Sequence, residues 1–231
     1  MTGALGAGIA LDLVAMVFGY SEVALLSRMA LGETVTEAET TTNDDRQGLM
    51  SILQLLSYVA TAVFFLIWIH RAYRNLPSLG VRRRQYSTGW AVGGFFVPFL
   101  NLVRPYEIVK EIWKGSNPDS AVPDDPSAQV PFTTGQYASK SPLIGVWWGL
   151  WILSNMVSNA IFRFSSKANT AEELLTWSWV SLGSNLLWVA AGVLAILVVK
   201  GIDAMQEEKH RRLTLLGAPQ SAQAIGNVAP A

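Results

Sequence analysis

Two carboxylates, Asp12 and Glu22, interrupt the first long apolar run of the chain. If that run crosses a bilayer, an ionisable side chain within it is costly, and such residues commonly serve ion or substrate paths. Polar residues also interrupt the other long apolar runs, at Gln54, Ser57 and Tyr58, at Asn155, Ser158 and Asn159, and at Ser181, Ser184 and Asn185. Helical spacing puts Gln54, Tyr58 and Thr61 on one face, Asn155 and Asn159 on another, and Ser181, Ser184 and Asn185 on a third. Chain direction alternates from span to span. At about 1.5 Å per residue, Glu22 then lies about 10 Å to the outer side of the midplane, and the Gln, Asn and Ser side chains fall in the same outer half. Two readings follow. Glu22, Gln54, Tyr58, Asn155, Asn159, Ser181 and Asn185 line a polar pocket open to the outside, or they hydrogen-bond neighbouring helices together. Asp12 falls about 5 Å to the inner side of the midplane, about 80° around the helix and about 15 Å along it from Glu22. A pair so separated cannot share one proton. Asp12 is either one step of a relay or a buried carboxyl of the bundle.

Other chemistry is excluded by what the sequence lacks. Cysteine is absent, which removes disulfides, thiolate metal sites and cysteine nucleophiles. The two histidines, His70 and His210, lie in basic sequence flanking apolar runs, and no HExxH or Cys/His cluster accompanies them. GxSxG and P-loop signatures are missing. A membrane carboxylate protease needs two close aspartates on separate spans, and Asp12 stands alone within a span. No catalytic residue, metal set or cofactor is expected. Lys+Arg and Asp+Glu balance at 17 each, and the short basic stretch comes with no reader fold, so nucleic acid is not an expected partner.

The elements that would position these residues follow from hydropathy. Mean hydropathy is +0.30 over 231 residues and charged residues make up 15%, against about 25% in soluble domains. Four apolar runs, about residues 4–27, 49–69, 143–164 and 177–199, are each near the ~20 residues a membrane helix needs. Helices satisfy their backbone internally, as the bilayer demands. Met1-Thr2-Gly3 carries no basic residue and Asp12 breaks what would be a signal-peptide core, so the first run is read as a retained span. The chain is expected to form an all-α integral membrane bundle over residues 1–212, with a disordered tail over 213–231.

A fifth run, GWAVGGFFVPFLNLV at residues 89–103, is short for a span, and its central Pro98 breaks helical hydrogen bonding. Charge decides its role. Arg71, Arg74, Arg82, Arg83 and Arg84 precede it, Arg104, Lys110, Lys114 and Lys140 follow it, and Lys200, Lys209, Arg211 and Arg212 follow the last span: 13 of the 17 basic residues. If the run does not cross, all of these share one side, and the positive-inside rule makes that side cytoplasmic, together with both termini. Residues 89–114 are therefore expected to form a Pro-broken re-entrant or interfacial element. Pro98, Asn101, Arg104 and Pro105 are its most distinctive residues: Asn101 to cap backbone freed by Pro98, Arg104 to snorkel to headgroup level. Broken apolar helices line cavities in some proteins and merely turn the chain in others. Tyr106, Val109, Ile112 and Trp113 recur at helical spacing, as in an amphipathic helix on the inner membrane surface. Trp68, Trp90, Trp147 and Trp148 are expected at the inner interface, Trp177 and Trp179 at the outer. Arg82, Arg83 and Arg84 either anchor topology or contact anionic lipid headgroups. Residues 115–142, with five prolines, read as a loop.

The stretch FLIWIHRAYRNLPSLGVRRRQYSTGWAVGGFFVPFLNLVRPYEIVKEIWKGSNPD at residues 65–119 carries WxxRAxxNL and GWAVGxFFVPFxNLxRPY, then Trp113 and SNPD. It resembles the bacterial, mainly actinobacterial, membrane-protein family known as domain of unknown function 4328. The sequence NDDRQ at residues 43–47 and the Trp-rich start of the third span are similar to it as well. The resemblance implies a multi-span protein of a bacterial plasma membrane and no activity. The expected function is a non-enzymatic docking or sensing module in the lipid bilayer, with a protein partner or a second copy. The alternative is a small-solute or ion transporter or channel built on the outer polar pocket.

Overall fold

The computed structural model of the chain describes residues 1–81, 83–119 and 142–226. Arg82 and Lys140 fall outside these residues, as does most of the expected 115–142 loop. Among the described residues six α-helices run in order: α1 Thr2–Ala30, α2 Glu37–Arg74, α3 Thr88–Gly93, α4 Arg104–Ser116, α5 Pro142–Ser165 and α6 Ala171–Gly226. Short 3₁₀ turns occupy Pro77–Leu79 and Leu100–Leu102, and no strand occurs among the described residues. The all-α expectation holds.

Among the described residues three helices, α1, α2 and α6, are long and apolar enough to cross a membrane. The third expected span corresponds to α5, which is 24 residues long and is not among the three. Its tryptophans and asparagines lower its hydropathy.

The helices begin earlier than the apolar runs do, for a local reason. Ahead of α2, Thr36 Oγ1 accepts from Glu39 N–H (3.3 Å), and Glu39 Oε2 accepts from Thr36 N–H (2.9 Å). This reciprocal capping box satisfies two of the orphan donors at a helix start. Thr170 and Glu173 repeat the device ahead of α6, with Thr170 Oγ1 accepting from Glu173 N–H at 3.2 Å and Glu173 accepting from Asn169 N–H at 2.8 Å. At the other end, α6 continues to Gly226, into the segment whose composition reads as a disordered tail.

The chain divides into two compact units. The first comprises Met1–Phe65 and Gly145–Leu197, that is α1, most of α2, nearly all of α5 and the first half of α6. Its helix pairs are antiparallel where the connections are direct. Thr61 Oγ1 donates to Ala4 O (3.4 Å), Gln54 Nε2 to Asp12 Oδ1 (3.0 Å) and Gln47 Nε2 to Phe18 O (3.3 Å), so α2 descends as α1 rises. Between α1 and α6, a Cβ on Gly19 would stand 2.9 Å from Leu182, and one on Gly192 would stand 3.0 Å from Ile9. Small residues at these two levels let the helices approach, as is usual in lipid, where packing replaces hydrophobic driving force. Phe164 stacks on Trp177 between α5 and α6, and Phe65 meets Trp147 between α2 and α5.

The second unit comprises Leu66–Ile144 and Val198–Ala231. Its core is the end of α2 (Ile69, Ala72, Tyr73), Leu76, Leu79, one face of α4 (Ile108, Val109, Ile112) and Val198, Val199 and Ile202 of α6. Gly80, at φ 85°, allows the turn after Pro77–Leu79.

One expectation needs correction here. The apolar face of α4 does not present itself to a membrane surface: Val109 and Ile112 have no exposed area and pack inside the protein. The periodicity was that of a core helix as much as of an interfacial one. Trp68, Trp147 and Trp148, expected at the inner interface, are buried within the protein. Trp68 Nε1 donates to Asp203 (2.9 Å) and Trp148 stacks on Trp151 at 4.5 Å.

Candidate functional site

The densest polar arrangement lies in the second unit, on residues that reach each other across long sequence gaps. Tyr73 closes α2 and is fully buried. Its hydroxyl lies 2.9 Å from Glu111 Oε2, 2.9 Å from Tyr86 N and 3.0 Å from Tyr86 O. A phenol has one proton, and the carboxylate is the stronger acceptor, so Tyr73 donates to Glu111 and accepts from Tyr86 N–H. The other oxygen of Glu111 accepts from Gln85 N–H at 2.6 Å. One carboxylate on α4 thus ties down both the buried tyrosine and the loop at 85–86.

A second carboxylate repeats this one turn earlier on α4. Glu107 accepts from the Tyr86 hydroxyl at 2.8 Å and lies 3.6 Å from Arg104. The Arg104 guanidinium sits 4.3 Å from the centre of the Tyr86 ring, in range of a cation–π contact. Burial, with Glu107 accepting its hydrogen bond, holds the Tyr86 hydroxyl above its ordinary titration range. Arg84 lies over the Tyr73 ring at 5.4 Å and donates to Thr88 Oγ1 at 2.9 Å. Arg83 is exposed and Arg82 lies outside the described residues.

The last half of α6 completes the arrangement with polar residues at every third position. Asp203 accepts from Trp68 (2.9 Å), Gln206 donates to Ala72 O (3.0 Å) and Ser116 Oγ (3.1 Å), and Lys209 donates to Gly115 O (3.0 Å). Arg212 pairs with Asp119 at 3.1 Å. Trp113 lies against Gly201, where a Cβ would come within 3.1 Å of the indole, and its buried Nε1 has no hydrogen-bond partner among the described residues.

Between Tyr86 and Glu107 the chain turns back on itself. Ser87 caps α3, accepting from Trp90 N–H at 3.3 Å. Gly94 is buried against Arg104, so that a Cβ there would stand 3.1 Å from Arg104 Cβ and 3.3 Å from Trp90 O. The residues between Gly94 and Arg104 form a loop whose ends touch. α3 ends at Gly93, and Pro98 lies in the irregular stretch that follows it. Asn101 uses its backbone N–H, donating to Val97 O at 3.0 Å. Arg104 does not extend freely, because Tyr86 and Glu107 hold its guanidinium. Pro105 is buried in the first turn of α4.

The polar residues expected within the spans belong to the first unit. Asp12 and Gln54, assigned above to opposite halves of the membrane, are hydrogen-bonded. The register of α1 against α2 is set by packing, and counting residues from the ends of apolar runs misplaces it by several residues. Tyr58 lies edge-on to Trp188 at 5.9 Å, and Trp188 Nε1 donates to Ser158 Oγ (3.0 Å), itself 3.5 Å from Ser184 Oγ. Asn155 and Asn159 donate to carbonyls one turn back in their own helix, Trp151 O (2.7 Å) and Asn155 O (2.8 Å). Ser181 and Asn185 are half-buried on α6. Glu22 is half-buried and forms no hydrogen bond or ion pair among the described residues. Gln54→Leu is expected to cost about 0.6–1.7 kcal/mol, the range of hydrogen bonds between membrane helices, read as a shift in detergent unfolding. Asp12→Asn, which keeps an acceptor toward Gln54, should cost less. Equal costs would mean that the pair contributes nothing specific.

Sequence reading did not single out Tyr73, Tyr86, Glu107, Glu111, Asp203 or Gln206. The only available signal was their position inside or beside the dense motif string. Their partners lie 13 to 135 residues away, and no spacing rule connects them.

These observations define an all-helical protein with three helices able to cross a membrane and a separate unit knitted by buried tyrosines and carboxylates. The chain matches the profile of the family described as a domain of unknown function (DUF4328) over residues 32–204 and belongs to that family. No curated protein and no solved structure matches it. The matched segment includes the whole of the tyrosine–carboxylate network and Asp203.

Proposed function

We propose that this protein is a non-enzymatic docking or sensing module of a bacterial plasma membrane. In this reading α1, α2, α5 and α6 all span the bilayer, both termini are cytoplasmic, and residues 89–114 form a re-entrant or interfacial element on the cytoplasmic side. The observation that carries it is the cross-bracing of the second unit. Glu107 and Glu111 spend their hydrogen-bonding capacity on tyrosines and backbone, which supports a rigid surface there. The exposed cations of that unit, including Arg83, Lys110 and Lys114, suit anionic headgroups or an acidic partner.

Topology is tested by placing a single cysteine at Lys114 in this natively cysteine-free chain. Exposed Lys114→Cys should react with an impermeant thiol reagent only in inverted vesicles or lysed cells. Labelling in intact cells would overturn the topology. The docking role is tested by gentle-detergent purification and native mass spectrometry. A stoichiometric partner retained by the wild type and lost when Lys110 and Lys114 are both changed to Glu supports it. A bare homo-oligomer that retains a small molecule would favour the second reading, transport through an outward polar pocket. Glu22, half-buried with no partner among the described residues, is what favours that reading, and Glu22→Gln should then abolish it.

A further inference from the structure

Of the seven exposed large apolar side chains among the described residues of the second unit, five lie between Trp90 and Val103: Trp90, Phe96, Phe99, Leu102 and Val103. Phe99 is 85% exposed and Phe96 71%. The backbone at Phe99 has φ 64° and ψ −39°, the one non-glycine positive φ among the described residues. Leu100 N–H donates to Pro98 O at 2.8 Å across it. This i to i+2 bond with positive φ is a γ-turn of the rare, strained form. A bulky aromatic is thus held at the apex of a tight turn with its ring pointing away from the unit.

Residues 89–103 contain no charged side chain. The first charge is Arg104, which packs on Gly94 at the base of the loop and is fixed there by Tyr86 and Glu107. Beyond it, Lys110 and Lys114 are exposed along α4. The order along the loop is therefore apolar apex, arginine collar, lysines. That order matches hydrocarbon, headgroup and water at the edge of a bilayer, where aromatic and basic side chains concentrate. The strand of chain that bears it joins α2 to α5, and α2 is among the most apolar helices of the protein.

We propose that the Phe99 turn is a bilayer wedge: Phe96, Phe99, Leu102 and Val103 insert among the acyl chains of one leaflet, with Arg104 as a collar at the headgroups. This rests on the membrane reading above and narrows its re-entrant or interfacial element to shallow insertion. The γ-turn orients Phe99 for the lipid, and the lipid covers apolar surface that the protein leaves bare.

The test uses the full chain reconstituted in phosphatidylcholine vesicles, with single cysteines at Phe99 and, separately, at Leu102 and Lys110, each carrying a bimane fluorophore. Bromines on the acyl chains should quench the Phe99 and Leu102 labels several-fold more strongly than they quench the Lys110 label. Aqueous iodide should show the reverse order. Strong iodide quenching at Phe99 without bromolipid quenching would place the apex in water and overturn the wedge. Protection from both quenchers would mean that protein, a second copy or a partner, covers it, and would overturn it too. Iodide reaching Phe99 and Lys110 from opposite vesicle faces would make residues 89–103 a true crossing. None of these readouts depends on a partner being captured, so the docking role and the wedge can fail separately.

Discussion

Tyr73→Phe is expected to destabilise the protein by about 2–3 kcal/mol, the range for a lost hydrogen bond to a charged group together with an unpaired buried donor. The ring would stay, so packing among Ile69, Leu76 and Ile112 is preserved and the loss is that of the hydroxyl alone. That hydroxyl donates to Glu111 and accepts from Tyr86 N–H, both at 2.9 Å. Removing it strips the carboxylate of its buried donor and leaves a backbone N–H without its acceptor. Glu111→Gln keeps an acceptor oxygen toward Tyr73 or Gln85 but removes the charge, and should cost less, about 1 kcal/mol. The double variant should cost less than the sum of the two, because they share one bond. Denaturant unfolding in a single detergent, followed by tryptophan fluorescence, measures all three. If Tyr73→Phe changes stability by less than about 0.5 kcal/mol, within the noise of ordinary surface substitutions, the network is ornamental and the rigid surface proposed for docking loses its basis.

The parts of this protein legible in its sequence are those set by local physics. Apolar runs located α1, α2 and α6, because hydropathy over some twenty residues is a direct measure of what lipid accepts. Pro98 and the uncharged stretch before Arg104 marked a break in regular structure. The T-x-x-E pairs at Thr36 and Glu39 and at Thr170 and Glu173 were equally local, and they explain why α2 and α6 start in polar sequence. Reading hydropathy alone passed over them. What could not be read was register and partnership. Asp12 and Gln54 were assigned different depths, yet they hydrogen-bond, because packing sets how far α2 slides along α1, a register that the bonds from Gln47, Gln54 and Thr61 share. The apolar stripe of α4 was correctly periodic, but periodicity does not say whether lipid or protein receives it. Here the receiver is the protein's own core, and the surface left for lipid moves to Phe96 and Phe99. Tyr73 and Glu111 lie 38 residues apart, and nothing in either neighbourhood announces the other.

Lys209→Glu is expected to be among the most damaging single changes in the chain, costing about 3 kcal/mol or more, as a buried charge without compensation does. Lys209 is 4% exposed and its ammonium donates to Gly115 O in the last turn of α4. The carbonyl end of a helix carries partial negative charge, and a cation there is stabilising. A carboxylate in the same place would face that end and could not donate to the carbonyl. The cost should shrink as pH falls. The site favours the protonated carboxyl, so the folded-state pKa of the new Glu lies above its unfolded value. The penalty is then complete above the folded pKa and absent below the unfolded one. Lys209→Met separates charge from packing. It keeps the long apolar stem, loses the hydrogen bond to Gly115 O and removes a desolvated cation, and replacing buried charge with a matched apolar side chain is often nearly neutral. A cost within about 1 kcal/mol is expected for Met. Equal and large costs for Met and Glu would show that the ammonium itself holds α6 to the end of α4. Equal and small costs would show that the second unit does not need this contact, and that Asp203 and Gln206 suffice to fix α6 against Trp68, Ala72 and Ser116.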